Sequence, residues 1–250
     1  MLLTMRALTE ASRAIAYVAA VQLDYSKHAD DPEDRRRHLA RADLLTPIVK
    51  AWGSEIAQEA TGLCVQIHGG SGFIEETGVA QYLRDARITT IYEGTNGIQA
   101  LDLVGRKVLR DGGGALEDML SEMRNDQKAL AQGGAELQQM ADTLGAGVRD
   151  VGECVRLLLH NAASDPNFAG AIAFNFLMLV GIVAGGWQMG RAALVANRKL
   201  AAGEGSIPFL RAKLATAHFY SDHIMPRAHA HTAAVQAGST SVMEIAEDQF

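Results

Sequence analysis

An apolar segment without a charged residue extends from Phe168 to Gly190, and it constrains the fold more than any other part of the chain. By its length alone, such a segment could cross a lipid bilayer. However, Asn175 and Gln188 interrupt it, glycines dilute its hydrophobicity, and no diagnostic basic cluster flanks it closely. A helix that is apolar on every side is otherwise the buried centre of a helical protein. We therefore predict a buried central helix over 168–202 and no membrane span.

The first part of the chain predicts two long helices. Apolar residues recur at helical spacing within 2–27, on a stripe that includes Leu8, Ala11, Ile15 and Val18. Asp31 and Pro32 are typical of the N-cap and the first residue of a second helix. Pro47 lies inside that helix and is expected to kink it or to restart it locally. Two long helices with a short connection indicate an antiparallel bundle.

Three glycines follow Asp111, and we place a domain boundary there. The sequence therefore predicts one domain over residues 1–111 and a second over residues 115–250. Further helices are expected in the second domain, over 116–130, 136–162, 168–202 and 208–225, with a short terminal piece. The predicted fold class is all-α, an up-down helical bundle followed by a second helical domain.

Charge and cysteine content narrow the function classes. The 250 residues carry a formal net charge of −6, which argues against a nucleic-acid partner. Cys64 and Cys154 are the only cysteines, so we expect neither a metal cluster nor a disulfide scaffold, and a reducing cytoplasm is the expected compartment. Several histidines occur near Asp222 without the spacing of a metal site, and we expect helix-end or surface positions for His218, His223, His229 and His231.

The stretch 91–99 contains the most informative carboxylate. Glu93 follows a short apolar run and precedes a Gly-Thr-Asn sequence, which is typical of a turn or a helix start. An amphipathic helix is predicted to follow and to run to about Arg110. A carboxylate on such a loop can be desolvated and directed at a substrate, as a general base requires to remove a weakly acidic C–H proton. A capping or solvated glutamate has the same local pattern, so both interpretations stay open.

A glycine cluster at 66–72 interrupts the helical pattern. A dinucleotide-binding fold requires a strand before such a cluster, and we exclude that fold because a helix precedes it here. Glycines permit a backbone to approach a phosphate or another subunit closely. A tight turn between helices has the same composition, so the cluster alone does not decide between these roles.

Three motifs occur in a fixed order: Q-x-x-G-G-x-G-F at 66–73, R-D-A-R at 84–87, and I-Y-E-G-T-x-x-I-Q at 91–99. Together they resemble the C-terminal helical domain of the acyl-CoA dehydrogenases, and the resemblance extends from the start to about Arg110. The second half resembles the extra C-terminal helical domain of a long bacterial subgroup, which includes enzymes for fatty acyl-CoA and 3-methylthiopropanoyl-CoA. This second half contains no motif specific to the subgroup.

The resemblance implies an FAD-dependent α,β-dehydrogenation of an acyl-CoA thioester. By motif position, Glu93 is the base that removes the α proton, held in a dry pocket that raises its pKa. Substrate-binding roles are implied for Tyr92 and Gly94. Flavin contacts are implied for Thr95, Asn96 and Gly97. Contacts to the ADP part of a neighbouring subunit's FAD are implied for Gln66, Gly69 and Gly70. A structural ion pair or helix caps are implied for Arg84 and Asp85.

The resemblance also implies an acyl-CoA substrate, an electron-transfer flavoprotein as acceptor, and a homodimer or a dimer of dimers. Because a helical domain and a β-domain precede this region in the family, the sequence looks like the C-terminal portion of a longer enzyme. We expect the 250 residues alone to be colourless and inactive. An acyl-CoA oxidase-like flavoenzyme and a non-catalytic helical interaction module that retains the motifs stay open as alternatives.

Overall fold

The computed structural model describes residues 1–249, and its first two helices form the predicted long pair. Helix α1 comprises Leu2–His28 and α2 comprises Pro32–Ile67. The carboxylate of Asp31 caps α2 by accepting a hydrogen bond from the backbone N–H of Glu33 at 2.8 Å, as the sequence predicts. Apolar residues of the two helices are buried where α1 and α2 pack together.

Helix α2 is continuous through Pro47, so of the two outcomes expected there the local restart was wrong, and a kink stays a prediction. A proline inside a helix removes the hydrogen bond to the carbonyl four residues before it, here that of Asp43. Asp43 is an exposed residue of α2. Pro47 itself is buried with the apolar side chains of the helix.

A chain of short elements connects α2 to the second half. These are α3 (Gly70–Phe73), a 3₁₀ turn at Glu75–Thr77, α4 (Val79–Arg87), a second 3₁₀ turn at Ile88–Thr90, and α5 (Asn96–Asp102). Helix α5 continues as a π-helical segment, Leu103–Leu109. The predicted helix to about Arg110 is thus present. The nine-residue helix α4 was not predicted.

The described part of the second half contains five α-helices: α6 (Gly114–Ala131), α7 (Ala135–Asn161), α8 (Phe168–Ala201), α9 (Ile207–Phe219) and α10 (Arg227–Ala237). Two 3₁₀ turns, Thr240–Met243 and Glu247–Gln249, follow α10. A π-helical segment, Tyr220–Ile224, extends α9. Most bounds lie within two residues of the predicted ones. The start of α6 is fixed by Asp111, whose carboxylate accepts from the N–H groups of Gly113 and Ala115 at 2.9 and 3.0 Å.

Helix α8 lies at the centre of one continuous apolar core. It packs against α1, α2 and α5 from the first half, and against α7, α9 and α10 from the second. Within residues 1–249, α8 is the one helix that is long and apolar enough to cross a membrane. In its most apolar stretch of 18 residues, 67% is buried inside the protein. The prediction of an all-α fold is confirmed, and residues 1–249 contain no strand. The division at residues 111 and 115 stays a prediction, because both halves contribute to this core.

Candidate active site

The loop that carries Glu93 is fixed at both of its ends. It follows the 3₁₀ turn Ile88–Thr90, where Arg87 donates to the hydroxyl of Thr90 at 2.9 Å. It ends at α5, where the hydroxyl of Thr95 caps the helix by accepting from the backbone N–H of Ile98 at 3.2 Å. The Gly-Thr-Asn sequence therefore forms the predicted helix start.

Glu93 has a strained backbone. Its φ is +55°, and within residues 1–249 it is the one non-glycine residue with a positive φ. Gly94 follows with a φ of +83°. A positive φ is uncommon for residues with a Cβ and persists where the surrounding structure imposes it. That support includes Gln99, whose side-chain amide donates to the carbonyl of Glu93 at 3.3 Å. A side chain at position 94 would come within 3.1 Å of the same amide.

Asn96 points away from the loop surface and into the bundle. It is 5% exposed, and all its polar contacts are with α2. Its Oδ1 accepts from Lys50 Nζ at 2.9 Å and from Ser54 Oγ at 3.0 Å. Its Nδ2 donates to Glu55 Oε1 at 2.7 Å and to the carbonyl of Ala51 at 3.4 Å. The side chain is therefore fully occupied, and only the main chain of Asn96 is left for a flavin contact.

The three α2 side chains that contact Asn96 were not predicted from the sequence. Lys50, Ser54 and Glu55 stand next to the apolar stripe of α2, at spacings that share one side of the helix. Polar residues this close to a buried stripe usually have a partner on another element. Their position beside the buried stripe could have indicated a polar contact with another element, but it does not identify Asn96 as the partner.

Apart from Asn96, most of the residues on this loop that are predicted to meet the substrate or the flavin lie at the surface. Tyr92 is 49% exposed, and Glu93 is also exposed, together with Thr95 and Gly97. The described residues therefore do not form the dry pocket that a strongly basic Glu93 requires. The arrangement holds the backbone of Glu93 firmly and leaves its carboxylate open to solvent.

The glycine cluster forms a tight turn at the end of α2, one of the two roles that its composition left open. Gly69 has a φ of +58° and is the N-cap residue of α3, and a side chain at Gly72 would come within 2.3 Å of the carbonyl of Val65. Gln66, Gly69 and Gly70 are all exposed.

This cluster and the Glu93 loop contact different parts of α2. Asn96 contacts Glu55, and the eleven residues from there to Gln66 correspond to roughly 16 Å along the helix axis. The structure thus holds the two sets of predicted cofactor residues apart on this chain.

The R-D-A-R motif has a structural role on α4. Arg84 forms a two-pronged ion pair with Glu75, with 2.7 Å between Nη2 and Oε2, rather than with Asp85. The hydrogen bonds from Arg84 hold the pKa of Glu75 below its ordinary value. Asp85 instead accepts from Gln81 one turn earlier at 3.3 Å. This pairing ties the 3₁₀ turn after the glycine cluster to α4.

The histidines near Asp222 do not converge. His229 contacts Asp150 at 2.9 Å, His231 lies 2.9 Å from Asn175, and His223 stacks obliquely on Phe219. Within residues 1–249, no group of three or more His, Cys, Asp or Glu residues is arranged to hold a metal ion.

Comparisons with known proteins match the whole chain. Residues 1–109 match the family described as "Acyl-CoA dehydrogenase, C-terminal domain", and residues 116–246 match the one described as "Acetyl-CoA dehydrogenase C-terminal like". The 3-methylmercaptopropionyl-CoA dehydrogenase of Ruegeria pomeroyi is 47% identical over 90% of this chain and 38% of its own length. The broad-specificity linear acyl-CoA dehydrogenase FadE5 of Mycobacterium tuberculosis is 31% identical over 100% of this chain and 42% of its own length.

A solved structure has the same fold. The acyl-CoA dehydrogenase of Bacillus anthracis, complexed with FAD, superposes with a TM-score of 0.73 at 19% identity, over 99% of this chain and 43% of that one. The present chain therefore spans about two fifths of the length of the proteins it matches.

Proposed function

The chain belongs to the acyl-CoA dehydrogenase family, and we propose that it carries the catalytic base of an FAD-dependent enzyme that dehydrogenates acyl-CoA thioesters. The observation that supports this most is the backbone of Glu93, held in a left-handed conformation on a loop fixed at both ends. Strain of this kind concentrates at sites where a side chain must be aimed. The side chain aimed here is a carboxylate, the group that proton abstraction requires.

In this proposal Glu93 removes the α proton of the thioester, and Tyr92 and Gly94 border the acyl chain. Glu93 and Tyr92 are exposed, so a substrate can reach them directly. A carboxylate in water is a weak base, and it becomes a stronger one when the site is closed and dry. Since the relatives are more than twice as long as this chain, we assign the closing walls to additional protein.

When FAD is bound, it accepts the β hydride of the thioester. The exposed main chain suits such a group at two places. At Gly69 and Gly70 an added Cβ would meet no atom within 4 Å, so the backbone there is open to a ligand beside Gln66. Thr95 and Gly97 are likewise exposed, and Asn96 adds only its main chain. We propose these residues as the edge of the flavin site, with the isoalloxazine wall supplied elsewhere.

The assembly proposed is a homodimer or a dimer of dimers. Large apolar side chains are exposed along the segment from α3 to α5: Phe73 at 82%, Tyr82 at 66%, Ile88 at 51%, Ile98 at 56% and Leu101 at 51%. Exposed apolar surface of this extent is typical of contact sites.

We further propose electron-transfer flavoprotein as the acceptor and a cytoplasmic location, the latter consistent with two free cysteines.

The test uses a polypeptide of the relatives' full length that contains this sequence as its C-terminal part, loaded with FAD. Glu93→Gln keeps the shape of the side chain and removes the proton acceptor. Flavin bleaching by acyl-CoA, measured by stopped flow, should slow at least about a hundredfold, the usual contribution of a general base. Glu76→Gln is the matched control, because Glu76 is an exposed glutamate outside the loop. Near-normal bleaching by the Glu93 variant would rule out Glu93 as the base.

A further inference from the structure

We infer that Asn96 is a positioning residue that locks the Glu93 loop onto α2, an inference that rests on the function proposed for Glu93. An asparagine side chain has two acceptor sites and two donor hydrogens. In Asn96 all four are used, by Lys50, Ser54, Glu55 and the carbonyl of Ala51. A side chain 95% buried with every polar group satisfied is a structural anchor.

The position of this anchor connects it to Glu93. Asn96 is the first residue of α5, three residues after the strained glutamate. Three residues further along, Gln99 reaches back to the carbonyl of Glu93. Any movement of the start of α5 relative to α2 therefore moves both ends of the short link that holds Glu93 at positive φ. Gln99 connects α5 only to the Glu93 loop that precedes it. Asn96 connects α5, and with it the Glu93 loop, to α2.

The charged residues around Asn96 fix the orientation of its side-chain amide. Lys50 donates to one end of the amide and Glu55 accepts from the other, so the side chain bridges a cation and an anion on one side of α2. Both charged residues are only partly exposed, and Ser54 is buried. Removing the amide hydrogen that faces Glu55 leaves two oxygen atoms opposed at a part-buried site, which is unfavourable.

A reversal of one hydrogen bond tests the anchor. Asn96→Asp retains the acceptor for Lys50 and Ser54 and places a carboxylate against Glu55. In the double variant Glu55→Gln with Asn96→Asp, the glutamine amide can donate to the new carboxylate, so the bond is restored with reversed polarity. The net charge of the double variant equals that of the parent. The hydrogen bond from position 96 to the Ala51 carbonyl is lost in both variants, although Ser54 Oγ still lies 3.0 Å from that carbonyl, so we expect the restoration to be substantial and not complete.

Amide hydrogen exchange of the 250-residue chain measures how often the start of α5 opens, and it requires no enzymatic assay. The N–H groups of Ile98 and Gln99 are bonded to Thr95 at 3.2 and 3.0 Å, and they become exposed when the start of α5 opens. We expect Asn96→Asp to accelerate their exchange about tenfold, with little change in α1, and the double variant to recover most of that protection. Asn161→Asp in α7 introduces the same charge elsewhere and should leave these amides unchanged.

In the flavin-loaded polypeptide, the same single variant should slow flavin bleaching about tenfold, and the double variant should recover most of the rate. Unchanged exchange at Ile98 and Gln99 in Asn96→Asp would overturn the inference, as would a double variant no better than the single one. These results are separable from the test of Glu93. If Glu93→Gln bleaches normally while Asn96→Asp opens the loop, the anchor stands and the proposed base is wrong.

Discussion

Replacing Gly185 with alanine would test how α8 joins the two halves of the chain. Gly185 lies where α8 meets Trp52 of α2 and Tyr220 of the π-helical segment. A Cβ at position 185 would lie 2.4 Å from Tyr220 Oη and 2.8 Å from Trp52 Cη2. Both aromatic side chains are almost fully buried, at 0% and 1% exposure, so neither can move aside into solvent. The substitution must therefore displace one of them within the core.

The expected loss of stability follows from three contributions. Forcing a methyl group into a well-packed core costs about 1–3 kcal/mol. The hydroxyl of Tyr220 also donates to the carbonyl of Ile182 at 2.9 Å, and leaving that buried pair unmade costs a further ~1–3 kcal/mol. Alanine is better than glycine in a helix by about 1 kcal/mol, which offsets part of the loss. The free energy of unfolding should consequently fall by about 1–5 kcal/mol.

Urea unfolding followed by far-ultraviolet circular dichroism measures this change. Gly62→Ala is the matched control, since Gly62 lies inside α2 and a Cβ there would meet nothing within 4 Å. Only the helix-propensity gain applies at position 62, so the control should be more stable than the parent by up to about 1 kcal/mol. The two glycine-to-alanine changes are thus predicted to have opposite signs. A Gly185→Ala protein as stable as the parent would refute the argued packing of α8.

Two further predictions concern pH and assembly. Burial lowers the pKa of His231, so the folded state resists its protonation, and stability should be retained above the ordinary histidine pKa of about 6.5 and fall as the pH drops below it. In His231→Gln, the free energy of unfolding measured with urea should fall less between about pH 8 and pH 5. An equal fall in the variant and the parent would contradict this role of His231. Sedimentation equilibrium at micromolar concentration should find dimers or larger closed assemblies, and a strict monomer would contradict the proposed interface.

Local patterns in the sequence were sufficient for the long helices and for some of their ends. Helix α2 begins at Pro32 because Asp31 supplies an acceptor to the free N–H of Glu33, a rule that depends on neighbouring residues only. Helix α4 was missed because nine residues with only Val79 and Ala80 buried show too short an apolar stripe to detect. The sequence did not decide whether Pro47 kinks α2 or restarts it, because that depends on the surroundings of that turn, which periodicity does not encode.

The candidate site divides in the same way. The motif at 91–99 located Glu93, and its glycine indicated a turn, but the strained φ of Glu93 itself is a property of the folded loop. The direction of Asn96 could not be read from the motif, because it depends on three α2 residues more than forty positions earlier in the chain. Contacts between distant segments determine whether a motif residue faces a ligand or the interior.

The glycines of α8 show how one composition fits two interpretations. Small residues at regular spacing on an apolar helix are typical of membrane helices that pair closely. Here a Cβ at four of these positions would lie within 2.3 to 2.9 Å of a large side chain from another helix: Trp52 at Gly181, Tyr220 at Gly185, Met225 at Gly186 and Leu130 at Gly190. The glycine face is therefore filled by side chains of the chain's own helices. A central helix that packs against helices from both halves of the chain needs both the apolar surface and the gaps. Its sequence therefore resembles a membrane span, although most of its apolar stretch is buried within the bundle.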